Sequence, residues 1–323
     1  MGHEKLSLAE TFGVTEPAKR VAEVKMALGG DPYTPATKWG VSSLKIFQPA
    51  LSVKTWLGWK PANRLVPIYN FFNLTPTPLE EGWSVRKTQV LDWRGGTRTY
   101  NSHNGTDFAI PAGTIVVAPG PGVVLRISDE FHRGGLKIFI DHGHGLITTS
   151  NHLGRALVEV GDRVVRAQPI ALSGYSGIDA VVAFPWSVPH VHFNTWLNGD
   201  YVDPFGRGDD YVDPFGLSEA SLWRNHNDPT PYRGGDESPD YEPTEWDEDA
   251  LAQVIASCVD PELRAELEST ADLDRRAMDT IFMTNYFPTR FGVRRSVYAE
   301  VHPRRPALDL PFRAADYDGV SFP

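Results

Sequence analysis

Between about Trp83 and Phe205 the chain alternates short β-branched or aliphatic runs with glycine turns: Thr114–Ala118, Gly122–Ile127, Leu136–Ile140, Leu146–Thr149 and Val188–Trp196. Runs of this length, closely spaced and bounded by turn residues, predict an antiparallel all-β domain. Upstream, one helix is predicted: Pro17 suits a first helical position, Val21, Val24 and Leu28 recur at helical spacing, and Gly29-Gly30 ends it. Residues 31 to 80 then set many prolines among Trp39, Trp56, Trp59, Tyr69, Phe71 and Phe72 without a sustained period, which reads as an irregular segment whose aromatics pack over something. Downstream, residues 225 to 249 are rich in Asp, Glu, Pro and Gly and read as an acidic linker. Helical periodicity returns in Leu251, Val254, Ile255 and Cys258; Asp260-Pro261 looks like a cap opening a helix through Leu263 and Leu267; Leu273, Ala277 and Ile281 predict a third.

The expected organisation is mainly β: an antiparallel sheet or sandwich domain at 85–217, an irregular and helical N-terminal extension at 1–84, a linker at 218–249 and an α-helical C-terminal extension at 250–323. A heptapeptide occurs twice, at Asp200–Gly206 and Asp210–Gly216; two copies are too few for a solenoid and read as a local duplication.

Composition narrows the partners. A net charge of −10 supplies no global positive field, so nucleic acid and anionic membrane surfaces are not expected. No apolar run approaches the roughly 20 residues of a membrane span. The first ten residues lack the basic-then-apolar pattern of a secretory signal, so the chain reads as cytoplasmic, or as exported with its signal removed. A single cysteine, Cys258, excludes an internal disulfide framework and a cysteine-rich zinc site; it lies on an apolar stripe and is expected to be a buried thiol. Any metal must be held by His, Asp or Glu.

Three motifs offer that chemistry. In Pro189-His190-Val191-His192-Phe193, strand alternation points both imidazoles one way and Val191 and Phe193 the other. That arrangement suits a metal ligand beside a general base, although His-x-His alone is more often an ordinary strand. In His103-Asn-Gly-Thr-Asp107 a turn at Gly105 can bring an imidazole and a carboxylate onto one cation, and His192 would complete the His₂-carboxylate set of catalytic zinc sites. His152, in Asn151-His152-Leu153, taken alone reads as a structural histidine. The rival pair His142 and His144 stands among glycines at a strand end and is read as structural, as are His132, His226 and His302.

The order of these motifs is what makes them specific. His103-x-x-x-Asp107 with Phe108-Ala-x-Pro-x-Gly-Thr114, Gly122-Val-Val, Ile140-Asp-His-Gly143, His152-Leu153, Val160-Gly-Asp-Arg-Val164, Ser173-Gly-x-Ser-Gly177, Pro189-His-Val-His-Phe193 and Val202-Asp-Pro204 together resemble the lysostaphin/LytM-type zinc metallopeptidase domain over about residues 85 to 205. The resemblance implies a small antiparallel β fold with a groove, one zinc ion per chain on His103, Asp107 and His192, and His190 and His152 as catalytic histidines. It implies a peptidoglycan endopeptidase acting on peptide cross-links. The chain departs from the pattern in a longer, more apolar link at 178–188, in Asn194 where glutamate commonly stands, and in Ala167 for a usual glycine. These touch no ligand and bear on substrate choice.

Two other readings share the fold: a catalytically silent scaffold or activator, and a zinc hydrolase acting on a non-wall amide. All five positions are filled, which favours the enzyme. The aromatic N-terminal segment is expected to cover the groove, and which of His190 and His152 acts first as base stays open, as does the oligomeric state.

Overall fold

A computed structural model describes residues 5–207, 219–235 and 241–322. Seven helices, α1 (Leu8–Phe12), α2 (Pro17–Gly29), α3 (Pro49–Trp56), α4 (Asp179–Val182), α5 (Glu248–Ala256), α6 (Pro261–Ser269) and α7 (Leu273–Tyr286), surround the strands. Those are β1 (Leu65–Asn70), β2 (Thr106–Ala109), β3 (Ile115–Val117), β4 (Gly122–Glu130), β5 (Gly135–Asp141), β6 (Leu146–Ala156), β7 (Arg163–Val164), β8 (Pro169–Ser173), β9 (His190–Leu197), β10 (Asp200–Val202) and β11 (Gly319–Ser321). They form one mostly antiparallel sheet in the order β11-β1-β2-β9-β6-β5-β4-β7, with β8 bridging β3 and β6 and β10 alongside β9. This is the mainly β architecture the glycine-punctuated runs predict.

Both faces of the sheet are covered, which is why its strands read as near-continuous apolar runs. Val124, Ile138, Ile140, Val191 and Phe193 point into one core. Their alternating neighbours Leu125, Phe139, Ile147 and Trp196 point into a second, closed by Leu251, Val254, Ile281 and Phe282 of the C-terminal helices. On β9 the alternation therefore sets His190, His192 and Asn194 on the Trp196 face. The C-terminal helices occupy the Trp196 end of that face, and the N-terminal segment packs beside its histidine end. Asp260 caps α6 as expected, and Asp247 and Asp272 cap α5 and α7 in the same way.

The flanking segments are woven into the sheet rather than appended to it. β1 pairs antiparallel with β2 and parallel with β11, so residues from both ends of the chain extend the sheet next to the motif strands. Leu222 and Trp223, which the acidic composition around them assigns to a linker, are buried in the first core beside Leu308, Leu310 and Phe312. α2 begins at Pro17 as expected, yet Val21 and Leu28 face solvent while Arg20, Glu23 and Ala27 are buried. Its buried face is ionic because Arg20 pairs with both Glu23 and Asp129 of the β4 end. The second heptapeptide copy, 210–216, lies outside the described residues. Cys258 is buried with a free thiol. No helix among the described residues is long and apolar enough to cross a membrane.

Candidate metal centre

The β2–β9 ladder sets Asp107 opposite His192 and Ala109 opposite His190, while β6 sets Asn151 opposite His192 from the other side. His103 reaches the same point from the turn before β2. Gly105 lets that turn close: a Cβ there would lie 2.7 Å from both His192 Nε2 and the Phe193 carbonyl oxygen. The result is a buried triangle of donor atoms. His103 Nε2 lies 3.1 Å from Asp107 Oδ1 and 3.2 Å from His192 Nδ1, and His192 Nδ1 lies 2.8 Å from Asp107 Oδ1.

Each corner is held from behind by groups without a metal-binding signature in the sequence. His103 Nδ1 donates to the Phe71 carbonyl, since a carbonyl can only accept, and this leaves Nε2 as the lone-pair nitrogen. Its ring leans on Tyr100. Asn70 Nδ2 donates to Asp107 Oδ2 at 2.9 Å, which turns Oδ1 toward the imidazoles. His192 Nε2 lies 3.1 Å from Asn104 Oδ1 and 3.0 Å from Asn194 Nδ2. Asn194 is fixed in turn, with its oxygen accepting from Asn151 and its nitrogen donating to the Asn104 carbonyl. Asn194 Nδ2 also donates to Asn104 Oδ1, so Asn194 supports the His192 ring through Asn104, in the position where the family pattern carries glutamate.

His190 and His152 stand beside this triangle with ring centroids 4.6 Å apart. Both are oriented alike: His190 Nδ1 donates to the Val188 carbonyl and His152 Nδ1 to the Ser176 carbonyl, each at 2.7 Å. Each is left with a free-lone-pair Nε2, and that of His190 is 3.6 Å from Asp107 Oδ1. His152 adopts a left-handed backbone with φ 58°, an uncommon state for a residue with a side chain and one that clusters at functional sites. The backbone N–H of His152 donates to the Gly134 carbonyl, which pins the twist.

Burial holds His192 down at about 4 and His190 at about 3, so both are neutral in ordinary buffers. Burial works to raise Asp107, but the imidazoles of His103 and His190 and the hydrogen bonds from His103 and His192 outweigh it and keep the carboxyl well below its usual range. All five residues singled out by the motifs thus meet in one place. Asp179, at the start of α4 in the apolar 178–188 link, joins them: its carboxylate groups with His152 and His190, and burial raises it. Nothing in its local sequence signals this, because the loop that carries it has no metal-ligand spacing. His142 is occupied by the Pro121 carbonyl and the Thr148 hydroxyl, and His144 lies against His302, away from the centre.

Two recesses flank the imidazoles. One of 320 Å³ is lined by Asp107, His190 and Asp179 together with Leu44, Ile46 and Phe47 of the N-terminal segment. One of 80 Å³ is lined by Asn104, His152 and His192 together with Trp39, Trp83 and Arg133. The 178–188 link is packed down on the N-terminal helices, with Phe184 edge-on to Phe12 and Trp56.

Residues 101–204 match the model of Peptidase family M23, an interval that runs from the turn before His103 to just past β10. The chain carries a Peptidase family M23 domain. Relatives of that domain include an uncharacterized metalloprotease of Haemophilus influenzae, 34% identical over 102 residues, 32% of this chain and 20% of that protein. Peptidoglycan DD-endopeptidase ShyA of Vibrio cholerae is 37% identical over 103 residues, 32% of this chain and 22% of that protein. This chain thus spans about a fifth of those relatives' length. Among solved structures, a zinc-containing peptidase from Vibrio cholerae is similar at 29% identity, covering 44% of this chain and 38% of that one with a TM-score of 0.32. The catalytic domain of lysostaphin from Staphylococcus simulans is similar at 29% identity, covering 32% of this chain and 77% of that one with a TM-score of 0.28. The four motif histidines and Asp107 all lie within the M23 interval, whereas Asn70 and the Phe71 carbonyl, which support two of these residues, lie outside it.

Proposed function

We propose that the M23 domain is a zinc-dependent endopeptidase that hydrolyses amide bonds in the peptide cross-links of peptidoglycan. The observation that carries the reading is the donor triangle of His103, Asp107 and His192. Ligand atoms about 2.0–2.1 Å from a tetrahedral ion stand about 3.3 Å apart, and the three edges here are 2.8, 3.1 and 3.2 Å. The donor chemistry agrees. With His103 Nδ1–H on a carbonyl and His192 Nε2–H on Asn104 Oδ1, two imidazole lone pairs and a carboxylate oxygen converge in a buried space. Such a convergence is costly without a cation between them.

A zinc ion held there supplies a water of lowered pKa and a Lewis acid for the scissile carbonyl. The chain's own residues supply the rest. His190 and His152, each tethered through Nδ1–H, present Nε2 to the same space and can only accept there while neutral. One takes the proton from the attacking water, and that proton passes to the amine nitrogen as the carbon–nitrogen bond breaks. If His190 is that base, its imidazolium stands beside Asp107 Oδ1 in the interval. The kinship with peptidoglycan DD-endopeptidases supports cross-link peptides as the substrate class.

The test is hydrolysis of purified peptidoglycan by the zinc-loaded chain, followed as newly released amines. His190→Ala and His152→Ala are expected to lower the rate by about 10²–10⁴-fold while leaving bound zinc unchanged. Undiminished release by both variants would overturn the reading.

A further inference from the structure

The 80 Å³ recess beside His152 and His192 is lined by an unusual set of side chains. Arg133 is 8% exposed, and among the described residues no carboxylate lies within salt-bridge distance of it. Among the described residues its one hydrogen bond is from Nη1 to the neighbouring His132 carbonyl, and its Nε–H has no partner there. The guanidinium lies against the rings of Phe287 and Trp83, 5.0 and 5.5 Å from their centroids. Burial lowers it to about 10, so it stays charged. Arg290 shares the Phe287 ring but is neutralised by Asp31 and Asp260, so the aromatic setting does not by itself strip an arginine of its counter-charge here.

Asn104 and Trp39 line the same recess, and among the described residues Asn104 Nδ2 and Trp39 Nε1–H have no hydrogen-bond partner of standard geometry. The wall also carries groups that can accept: Asn151 Oδ1 and the His132 ring nitrogens, without hydrogen-bond partners among the described residues, and the Asp179 carboxylate on the His152 side. Arg133 is the group there that a carboxylate requires, since a carboxylate accepts through both oxygens and donates nothing; Asp179 lines the same recess but groups with His152 and His190 and lies beyond salt-bridge distance of the guanidinium. The space suffices, because a single water needs only about 10–15 Å³ of such volume. The recess also borders the reacting centre directly, through His152, His192 and Asn104. Three separate parts of the chain build it, with Trp39 and Trp83 from the N-terminal segment, Arg133 from the turn between β4 and β5, and Phe287 from the end of α7 behind the guanidinium.

We propose that this recess is a carboxylate subsite in which Arg133, with Asn104 and Trp39, receives a free carboxylate that the substrate carries next to its scissile amide. The inference rests on the peptidase reading and specifies its substrate: a peptide with an acidic group beside the cleaved bond. Arg133 fixes the register of the chain across the two catalytic imidazoles. On the other side of those imidazoles the 320 Å³ recess, walled by Leu44, Ile46 and Phe47, accepts apolar parts of the substrate.

The test compares cross-linked stem-peptide dimers with the same dimers after conversion of their free carboxylates to primary amides. Binding is measured by calorimetry on the metal-free full chain, and turnover on the zinc-loaded chain. Wild type is expected to favour the carboxylate form by about 30-fold or more, the range seen when one partner of a buried charge pair is removed. Arg133→Met is expected to handle both forms within about threefold. Because each variant is compared with itself, partial unfolding does not change its ratio. Equal handling by wild type, binding of neither form, or a preference that survives in Arg133→Met overturns the subsite. If zinc-loaded protein cleaves neither form while the metal-free chain keeps an Arg133-dependent preference, the subsite stands and the peptidase reading falls alone.

Discussion

Asn70 Nδ2 donates to Asp107 Oδ2 at 2.9 Å, so a residue outside the M23 interval orients a carboxylate inside it. Asn70 ends β1, the strand through which the N-terminal segment joins the sheet. Groups that orient a ligand from behind commonly carry 10–100-fold in metal affinity. Asn70→Ala is therefore expected to weaken zinc binding by about 10–100-fold, read by competition with a chelator of known affinity. Unchanged affinity would mean that Asp107 needs no support from β1.

How far the sequence leads is visible in this pair. Asp107 is legible from its spacing to His103 and the order of motifs that follows. Asn70 is not, because β1 carries Pro67 amid aromatics and shows no alternation. Proline in a strand interior argues against a strand, and here Pro67 stands at the end of the three-residue register with β11, one residue before the pairing with β2 begins at Ile68. The Phe71 carbonyl that sets the His103 tautomer is invisible for a simpler reason: every residue has a carbonyl. Arg133 and Asp179 were equally hidden, since only the fold brings a β-turn and a loop helix to the same histidines. On α2 the apolar spacing was misleading, since Arg20 and Glu23 bury themselves as an ionic cluster and push Val21 and Leu28 outward.

The same weaving predicts shared stability. Trp223 is fully buried against Phe193 and Phe205, although the composition around it is that of a linker. Trp223→Ala is expected to cost about 3–5 kcal/mol, read by denaturant unfolding. A loss below 1 kcal/mol, about the scale of a surface change, would show that this segment is dispensable to the core.

Glu130 ties the sheet to the C-terminal helices. Its carboxylate meets Lys137 Nζ at 2.6 Å and Arg126 at 3.0 Å, and Arg126 also pairs with Asp279 of α7. Burial works to raise Glu130, but the Lys137 and Arg126 charges outweigh it and hold it at about 2, below its ordinary 4.5. A depressed carboxyl contributes stability that is present above about 4.5 and lost as pH falls toward 2, here about 3 kcal/mol in all. Glu130→Gln is expected to lose that amount near neutral pH and to show a flatter acid limb in urea titrations between pH 5 and 2. An acid limb identical to wild type would remove the pair from the account.

The N-terminal segment walls the larger recess with Leu44 and Phe47. Phe47→Ala removes part of the wall that receives apolar parts of the substrate, and the rate is expected to fall both on intact peptidoglycan and on short soluble peptides. A rise on intact peptidoglycan with no change on short peptides would make Phe47 a barrier rather than a substrate contact.

The account turns on one measurement, the zinc content of the purified full chain by atomic emission, alongside His103→Ala, His192→Ala and His190→Ala. One zinc per chain in the parent, its loss in the first two variants and its retention in His190→Ala is the predicted result. Zinc kept by all three variants, or no stoichiometric zinc in the parent, would contradict it.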